Sequence, residues 1–345
     1  MNETIGFISA AEPSAIVEVY WRGIEVIRAI QTIENPALTA VIRVLTLLGT
    51  ELFYIPVILF VFWCVDEKQG MRFGILILFS AWINGFLKDL LKQPRPYNLD
   101  PSVGRGFEPT YGMPSGHAQH SLVFWTAAAW RKKPAGKGVI YFRIAAVIFV
   151  LIIAFTRLYL GLHFPTDIIG GWFLGFFIIG LFFLLRKRIE TFLAGEDLRF
   201  RLIAAAIIAF LMNASGAETN LGGLFMGFCG GYSLMQKYIR FSAAAPLGGK
   251  KPGVLVLAVR YVSGLAGMTA VYFVLRALLP GEGSLFADIK SWGAASPYYT
   301  LGRFLRYGAL GFWAAAGAPW LFVRMKLAEA PAEDGNEGTN TVARD

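Results

Sequence analysis

Residues 139–157 read VIYFRIAAVIFVLIIAFTR, nineteen residues with one charge inside, Arg143, and one at the end, Arg157. About 20 mainly apolar residues in a helix cross the hydrocarbon core of a bilayer, and only intra-helix hydrogen bonding satisfies such a backbone in lipid. The stretch reads as a membrane span. Eight more apolar runs lie around it, at 50–66, 71–91, 115–130, 164–185, 199–213, 220–236, 253–279 and 300–323. They explain a chain of 345 residues that is 56% hydrophobic, 16% charged and +0.54 in mean hydropathy, values that exclude an ordinary soluble domain. The expected fold is all-α, a polytopic transmembrane helix bundle.

The net charge of +9 would suit nucleic acid in a soluble protein. In a membrane chain the placement of Lys and Arg reports orientation instead, so the bilayer is the expected partner and nucleic acid is not. Basic residues collect in alternate loops: Arg131, Lys132, Lys133, Lys137 and Arg143; then Arg186, Lys187, Arg188, Arg199 and Arg201; then Lys237, Arg240, Lys250 and Lys251. Those loops read as cytoplasmic, which puts the N-terminus outside and the C-terminus inside. Within residues 1–49, the apolar stretch 15–48 is interrupted by Glu18, Arg22, Glu25, Arg28, Glu34 and Arg43, and it reads as amphipathic helices at the outer interface. The first fourteen residues lack the charged start and apolar run of a cleavable signal. Cys64 and Cys229 lie within spans and read as packing residues, with no disulfide. Gly223, Gly227 and Gly231, and likewise Gly171 and Gly175, recur every four residues, a spacing that lets helix backbones approach closely. Residues 328–345 are polar and read as a disordered tail.

Three blocks carry chemistry. Lys88 sits at the outer end of the second span, and Pro94 stops the helix so that Arg95 can point back. Pro114-Ser115-Gly116-His117 opens the third span, with Ser115 at an N-cap and exposed amides at a positive helix end, a ready anion site. Arg157 closes the fourth span, His163 follows, and Asp167 lies in the first turn after Pro165, spaced so that it can orient one ring nitrogen and leave the other nucleophilic. The chain has three histidines, His117, His120 and His163, and two fall in these blocks. With the orientation set by distant basic loops, all three blocks land on the outer face. The loop 92–114 between the second and third spans, rich in Pro and Gly, suits a mouth or lid.

This arrangement resembles the signature of the type 2 phosphatidic acid phosphatase superfamily, which includes membrane lipid phosphatases and vanadium haloperoxidases. Lys88 to Arg95-Pro96, Pro114 to His117, and Thr156-Arg157 to His163 and Asp167 carry the likeness, with Thr156 where the family has Ser. The hydroxyl survives that departure, so a phosphate contact stays open to it. The resemblance implies a helical core of the phosphatase/haloperoxidase kind over residues 50–185, with 199–323 as additional C-terminal spans. It implies that His163 attacks phosphorus to give a phosphohistidine, that Asp167 orients it, and that His117 protonates the leaving oxygen. Lys88, Arg95 and Arg157, with Ser115 and Gly116, would bind the transferring phosphate. No cofactor is expected, and no metal, because no acidic cluster with ligand spacing lies on the outer face. His120 reads as a packing or supporting residue.

The expected function is metal-independent hydrolysis of a lipid phosphate or pyrophosphate at the extracytoplasmic face. The runner-up passes the phosphoryl group to a lipid hydroxyl. A transporter of an anionic solute or lipid is the rival of another class, opposed by the scarcity of charge deep in the spans and the lack of an inverted repeat. Short loops suit a bacterial inner membrane, and an endoplasmic reticulum protein with a lumenal site would look similar. Arg303 and Arg306, near the outer start of the last span, are candidates for interface anchoring or for a headgroup contact.

Overall fold

The computed structural model describes residues 15–130, 136–215, 219–280 and 297–329. The first fourteen residues, the basic cluster at 131–133 and the tail from residue 330 lie outside the described residues, so the readings made on them stay sequence readings. Among the described residues the structure is helical, with no strand beyond one isolated bridge between Leu247 and Lys250. The all-α expectation holds.

Local chemistry sets the helix ends. The segment α1 (Ala15–Gln31) leads into α2 (Pro36–Leu47), where Asn35 Oδ1 accepts from the Leu38 amide at 2.9 Å and Pro36 takes the first turn. A bend follows, then α3 (Glu51–Phe60), which runs on as a π turn over Val61–Val65. Asp66 ends that turn and caps α4 (Glu67–Leu91) by accepting from the amides of Lys68 and Gln69. The chain leaves α4 through Lys92, left-handed at φ 48°, into the short α5 (Pro96–Leu99) and the loop that follows it. Next come α6 (Gly116–Ala129), α7 (Lys137–Tyr159) and α8 (Pro165–Gly195). The C-terminal part holds α9 (Leu198–Ala214), α10 (Thr219–Leu234), α11 (Val254–Leu278), α12 (Pro297–Phe312) and α13 (Ala318–Arg324).

Nine apolar stretches become fewer full-length helices. Among the described residues, four are long and apolar enough to cross a membrane: Glu67–Leu99, Lys137–Tyr159, Pro165–Gly195 and Val254–Leu278. Pro36–Leu47 with Glu51–Val65, bent by 46°, would make a fifth. The difference has local causes. The helix α6 is 14 residues long and α9 is 17, α10 gives way after 16 to a π turn, and the last apolar run is split into α12, a π turn and α13. The bend at 46° also joins part of the predicted interfacial segment to the first span. The protein is an integral membrane protein.

The core is built in layers. Tyr54, Ile58, Phe73, Leu76, Val123, Phe124, Ile178 and Ile179 pack α3, α4, α6 and α8 together. Above them Ile24 and Ile27 of α1 close over Val103 and Phe164, and Ile42 of α2 over Tyr159, Leu160 and Leu162. Close approach of backbones fixes two helix pairs. A Cβ on Gly171 would meet the Ser115 carbonyl at 2.6 Å, and one on Gly175 would meet Leu122 at 3.0 Å, so α8 lies directly against α6. A Cβ on Gly227 would stand 1.9 Å from the Gly308 carbonyl, and one on Gly223 would stand 2.3 Å from that of Phe304, which presses α10 onto α12. Both glycine ladders therefore serve internal packing. The two cysteines are free, and Cys64 is buried in the lower core.

Candidate active site

The three blocks converge where α4, α6, α7 and α8 end on one side of the bundle, under the loop that joins α5 to α6. After the left-handed Lys92 and Pro94, the chain doubles back and buries Arg95 to 1% exposure. Its guanidinium donates to the carbonyls of Thr110 (2.6 Å), Tyr111 (3.1 Å) and Leu162 (2.9 Å) and to Thr110 Oγ1 (3.0 Å), which fixes the plane of the group. Arg157, in the last turn of α7, is equally buried and donates from Nη1 to Thr46 Oγ1 at 2.8 Å. Half-buried Lys88 reaches Thr110 Oγ1 at 3.2 Å.

His163 and Asp167 straddle the start of α8, both fully buried. Asp167 Oδ2 accepts from the Phe164 amide (2.9 Å) and lies 3.2 Å from His163 Nδ1, while its Oδ1 accepts from Gln93 Nε2 (2.7 Å). On its other side, His163 Nε2 lies 3.2 Å from Arg95 Nη1. A guanidinium has no acceptor, so Nε2 must be the acceptor and the proton must sit on Nδ1, facing the carboxylate. That tautomer leaves the lone pair of Nε2 directed into the cationic pocket. Burial, and after it Arg157, Arg95, Lys88 and His117, hold His163 well below the usual histidine range, so the ring is neutral.

Ser115 takes the N-cap position of α6, but its side chain makes no capping bond. Its amide donates to the Asp167 carbonyl (3.0 Å), and its buried Oγ has no hydrogen-bond partner. The Nε of Arg157 is likewise buried without a partner. Gly116 follows beside Asn84 and His120, and a Cβ there would meet Asn84 Oδ1 at 3.2 Å. His117 is half-buried against Gly49, where an added Cβ would come within 2.9 Å of its ring. His120 turns away, its Nδ1 2.8 Å from Ser80 Oγ, in a buried network with Gln119 and Asn84. Thr156 also turns aside: its hydroxyl lies 2.6 Å from the Ile153 carbonyl and 3.2 Å from Thr46 Oγ1, so it backs the Arg157 support instead of facing the pocket.

Three residues absent from the sequence reading complete the site. Glu108 Oε2 lies 2.7 Å from Arg95 Nη1, and its Oε1 bonds Arg157 Nη2. Burial pushes the Glu108 carboxyl up, but Arg157, Arg95 and Lys88 together outweigh it and hold the group below the usual carboxylate range. Glu108 is one of two acids in the 92–114 loop, a signal available in the sequence. Gln93 adjoins the first block, which gave a weaker hint. Thr46 belongs to α2, and nothing in the sequence ties it to Arg157. Arg306 does not join the site: it is buried beside Pro280, and Arg303 lies over the Tyr299 ring.

The family model described as PAP2 superfamily matches residues 69–190, which contain all eight predicted site residues. The chain is 30% identical over 169 residues to phosphatidylglycerophosphatase B of Bacillus subtilis, a match covering 46% of this chain and 79% of that protein. This chain belongs to the PAP2 superfamily. A second model, described as PAP2 superfamily phosphatase, transmembrane extension, matches residues 219–330, which hold most of the additional C-terminal spans expected over 199–323. The undecaprenyl-diphosphatase of Sulfolobus acidocaldarius is 30% identical over 158 residues, covering 45% of this chain and 74% of that one. Lipid phosphate phosphatase delta of Arabidopsis thaliana is 26% identical over 189 residues, covering 51% of this chain. The chain spans 45% of the length of that plant relative.

Proposed function

We propose that this PAP2 protein is a metal-independent phosphatase that hydrolyses a lipid phosphate or pyrophosphate through a phosphohistidine at the extracytoplasmic face. One observation carries the reading: His163 Nε2 accepts from the buried Arg95 guanidinium at 3.2 Å while Nδ1 faces Asp167. The relatives' printed names, a phosphatidylglycerophosphatase, an undecaprenyl-diphosphatase and a lipid phosphate phosphatase, support a phosphorylated lipid as substrate.

In this mechanism Nε2 forms the N–P bond as the bond from phosphorus to the lipid oxygen breaks. His117 gives that oxygen its proton. Arg95, Arg157 and Lys88 hold the equatorial oxygens, and the orphaned Ser115 Oγ and the amide end of α6 donate to the same group. Water then attacks phosphorus, neutral His117 takes its proton, and the N–P bond breaks to return His163 and release inorganic phosphate. Asp167 faces Nδ1–H and holds the orientation of the His163 ring through both steps.

The test is phosphate release by the purified protein in detergent with excess EDTA, over lipid monophosphates and diphosphates, beside His163→Ala. We expect EDTA-resistant release that falls by at least about 10³-fold in the variant, since a nucleophile is removed outright. A label from ³²P-lipid should be trapped on the wild-type protein in acid-labile, base-stable form. Full activity in His163→Ala, or activity abolished by EDTA, would refute the reading.

A further inference from the structure

This inference rests on the phosphatase reading above and concerns what holds the phosphate pocket closed. The place where two guanidinium groups meet the nucleophilic nitrogen is taken by a side chain of the protein itself. Glu108 Oε2 lies 2.7 Å from Arg95 Nη1 and 3.8 Å from His163 Nε2, and Oε1 bonds Arg157. We propose that Glu108 is a specificity gate: its carboxylate occupies the phosphate subsite, and a terminal, doubly charged phosphate displaces it whereas a singly charged phosphodiester does not.

Charge and oxygen count decide the exchange. A carboxylate brings one negative charge and two oxygens to a pocket that holds Arg95, Arg157 and Lys88. Lys88 spends its bond on the neutral Thr110 hydroxyl, and Ser115 Oγ and Arg157 Nε stay buried without partners. A terminal phosphate monoester carries about −1.5 to −2 charges and three unesterified oxygens. It can therefore replace both carboxylate contacts and also supply an acceptor to the orphaned donors. A phosphodiester has one charge and two free oxygens, the same as the carboxylate, so exchange gives it no electrostatic gain. A bilayer is rich in diester headgroups, and a site at its surface needs such a filter.

The gate is also built to move. The Tyr97 hydroxyl donates to the Glu108 carbonyl (2.7 Å) and accepts from the Glu108 amide (3.2 Å), which pins the backbone. The side chain itself keeps 25% of its surface exposed at the mouth. Opening needs only its rotation.

The experiment measures hydrolysis of a short-chain lipid monophosphate in detergent, with inorganic phosphate and short-chain phosphatidylglycerol, a diester, as competitors. Wild type, Glu108→Gln and Glu108→Asp are compared. In Glu108→Gln the inhibition constant for inorganic phosphate should fall about tenfold, equivalent to losing about 1.4 kcal/mol of internal competition. The diester, without effect on wild type, should become a competitive inhibitor. Glu108→Asp keeps the charge needed beside two buried arginines but cannot bridge both, so it should shift both constants in the same direction by less. Unchanged or weaker phosphate inhibition in both variants, with hydrolysis persisting, would overturn the gate and leave Glu108 as a strut for the arginines. A wild-type protein that hydrolyses no lipid phosphate or diphosphate would instead remove the phosphatase reading, and the gate with it.

Discussion

At His163 burial and charge act in one direction. Desolvation disfavours its protonated form, and Arg157, Arg95, Lys88 and His117 add repulsion, so the native ring stays neutral below the ordinary value of 6.5. The unfolded chain takes up that proton near 6.5, so between the native pKa and 6.5 the unfolded state binds more protons and stability rises with pH. The His163 contribution is thus intact above pH 6.5 and erodes as pH falls below it. Glu108 has the opposite charge type but the same sign, since its depressed carboxyl loses its contribution only below about 4.5. The two windows separate. We expect the thermal midpoint of the detergent-solubilised protein to drop between pH 6.5 and 5, and to drop less in His163→Asn, which cannot protonate. Equal slopes in the two proteins would count against a neutral, buried His163.

At the scale of elements, glycine placement carries much of the architecture. Gly227 stands where a Cβ would lie 1.9 Å from the Gly308 carbonyl, so any side chain must part α10 from α12. Gly180 in α8 has nothing within 4 Å of its would-be Cβ. Gly227→Ala should cost about 1–3 kcal/mol, as overpacking does, while Gly180→Ala should be neutral or slightly favourable. Thermal unfolding of the two variants checks this, and equal midpoints would show that α10 and α12 do not meet as described. The same elements show what a sequence discloses. The ladders at Gly171 and Gly223 were legible because a four-residue period needs no partner to be seen. So were Lys88, Arg95, Ser115, His117, Arg157, His163 and Asp167, because each falls in a short motif. Glu108 and Thr46 were not assigned, since their roles exist only when a loop and α2 fold across the bundle to reach Arg157. The π turns that divide the last spans escaped notice too, because an apolar run looks the same whether its hydrogen bonds reach four residues back or five.

Across the whole molecule, charge is sorted by side and also by pairing. Around the mouth of the site four arginines are matched to acids: Arg28 to Asp100, Arg105 to Glu34, and Arg95 and Arg157 to Glu108. At the opposite end, Arg186, Lys187, Arg188, Arg199 and Arg201 cluster over a short stretch in which Glu190, Glu196 and Asp197 supply fewer acids. Glu190 is moreover taken by Arg72. The positive surplus therefore falls on the side away from the pocket, and the proposed orientation, with positive loops retained in the cytoplasm, has His163 outside. The two native cysteines are poor thiol targets, Cys64 buried and Cys229 half-buried, which makes single added cysteines usable as reporters. Phe107, 76% exposed beside the gate, and Gly195, at the exposed end of α8, lie at opposite ends of the bundle. With Phe107→Cys and Gly195→Cys made separately, a membrane-impermeant maleimide should label the first in intact cells and the second only after permeabilisation. The reverse pattern would place phosphate release on the cytoplasmic side, where the lipid phosphates on offer differ and the proposed outer-leaflet substrate would have to be abandoned.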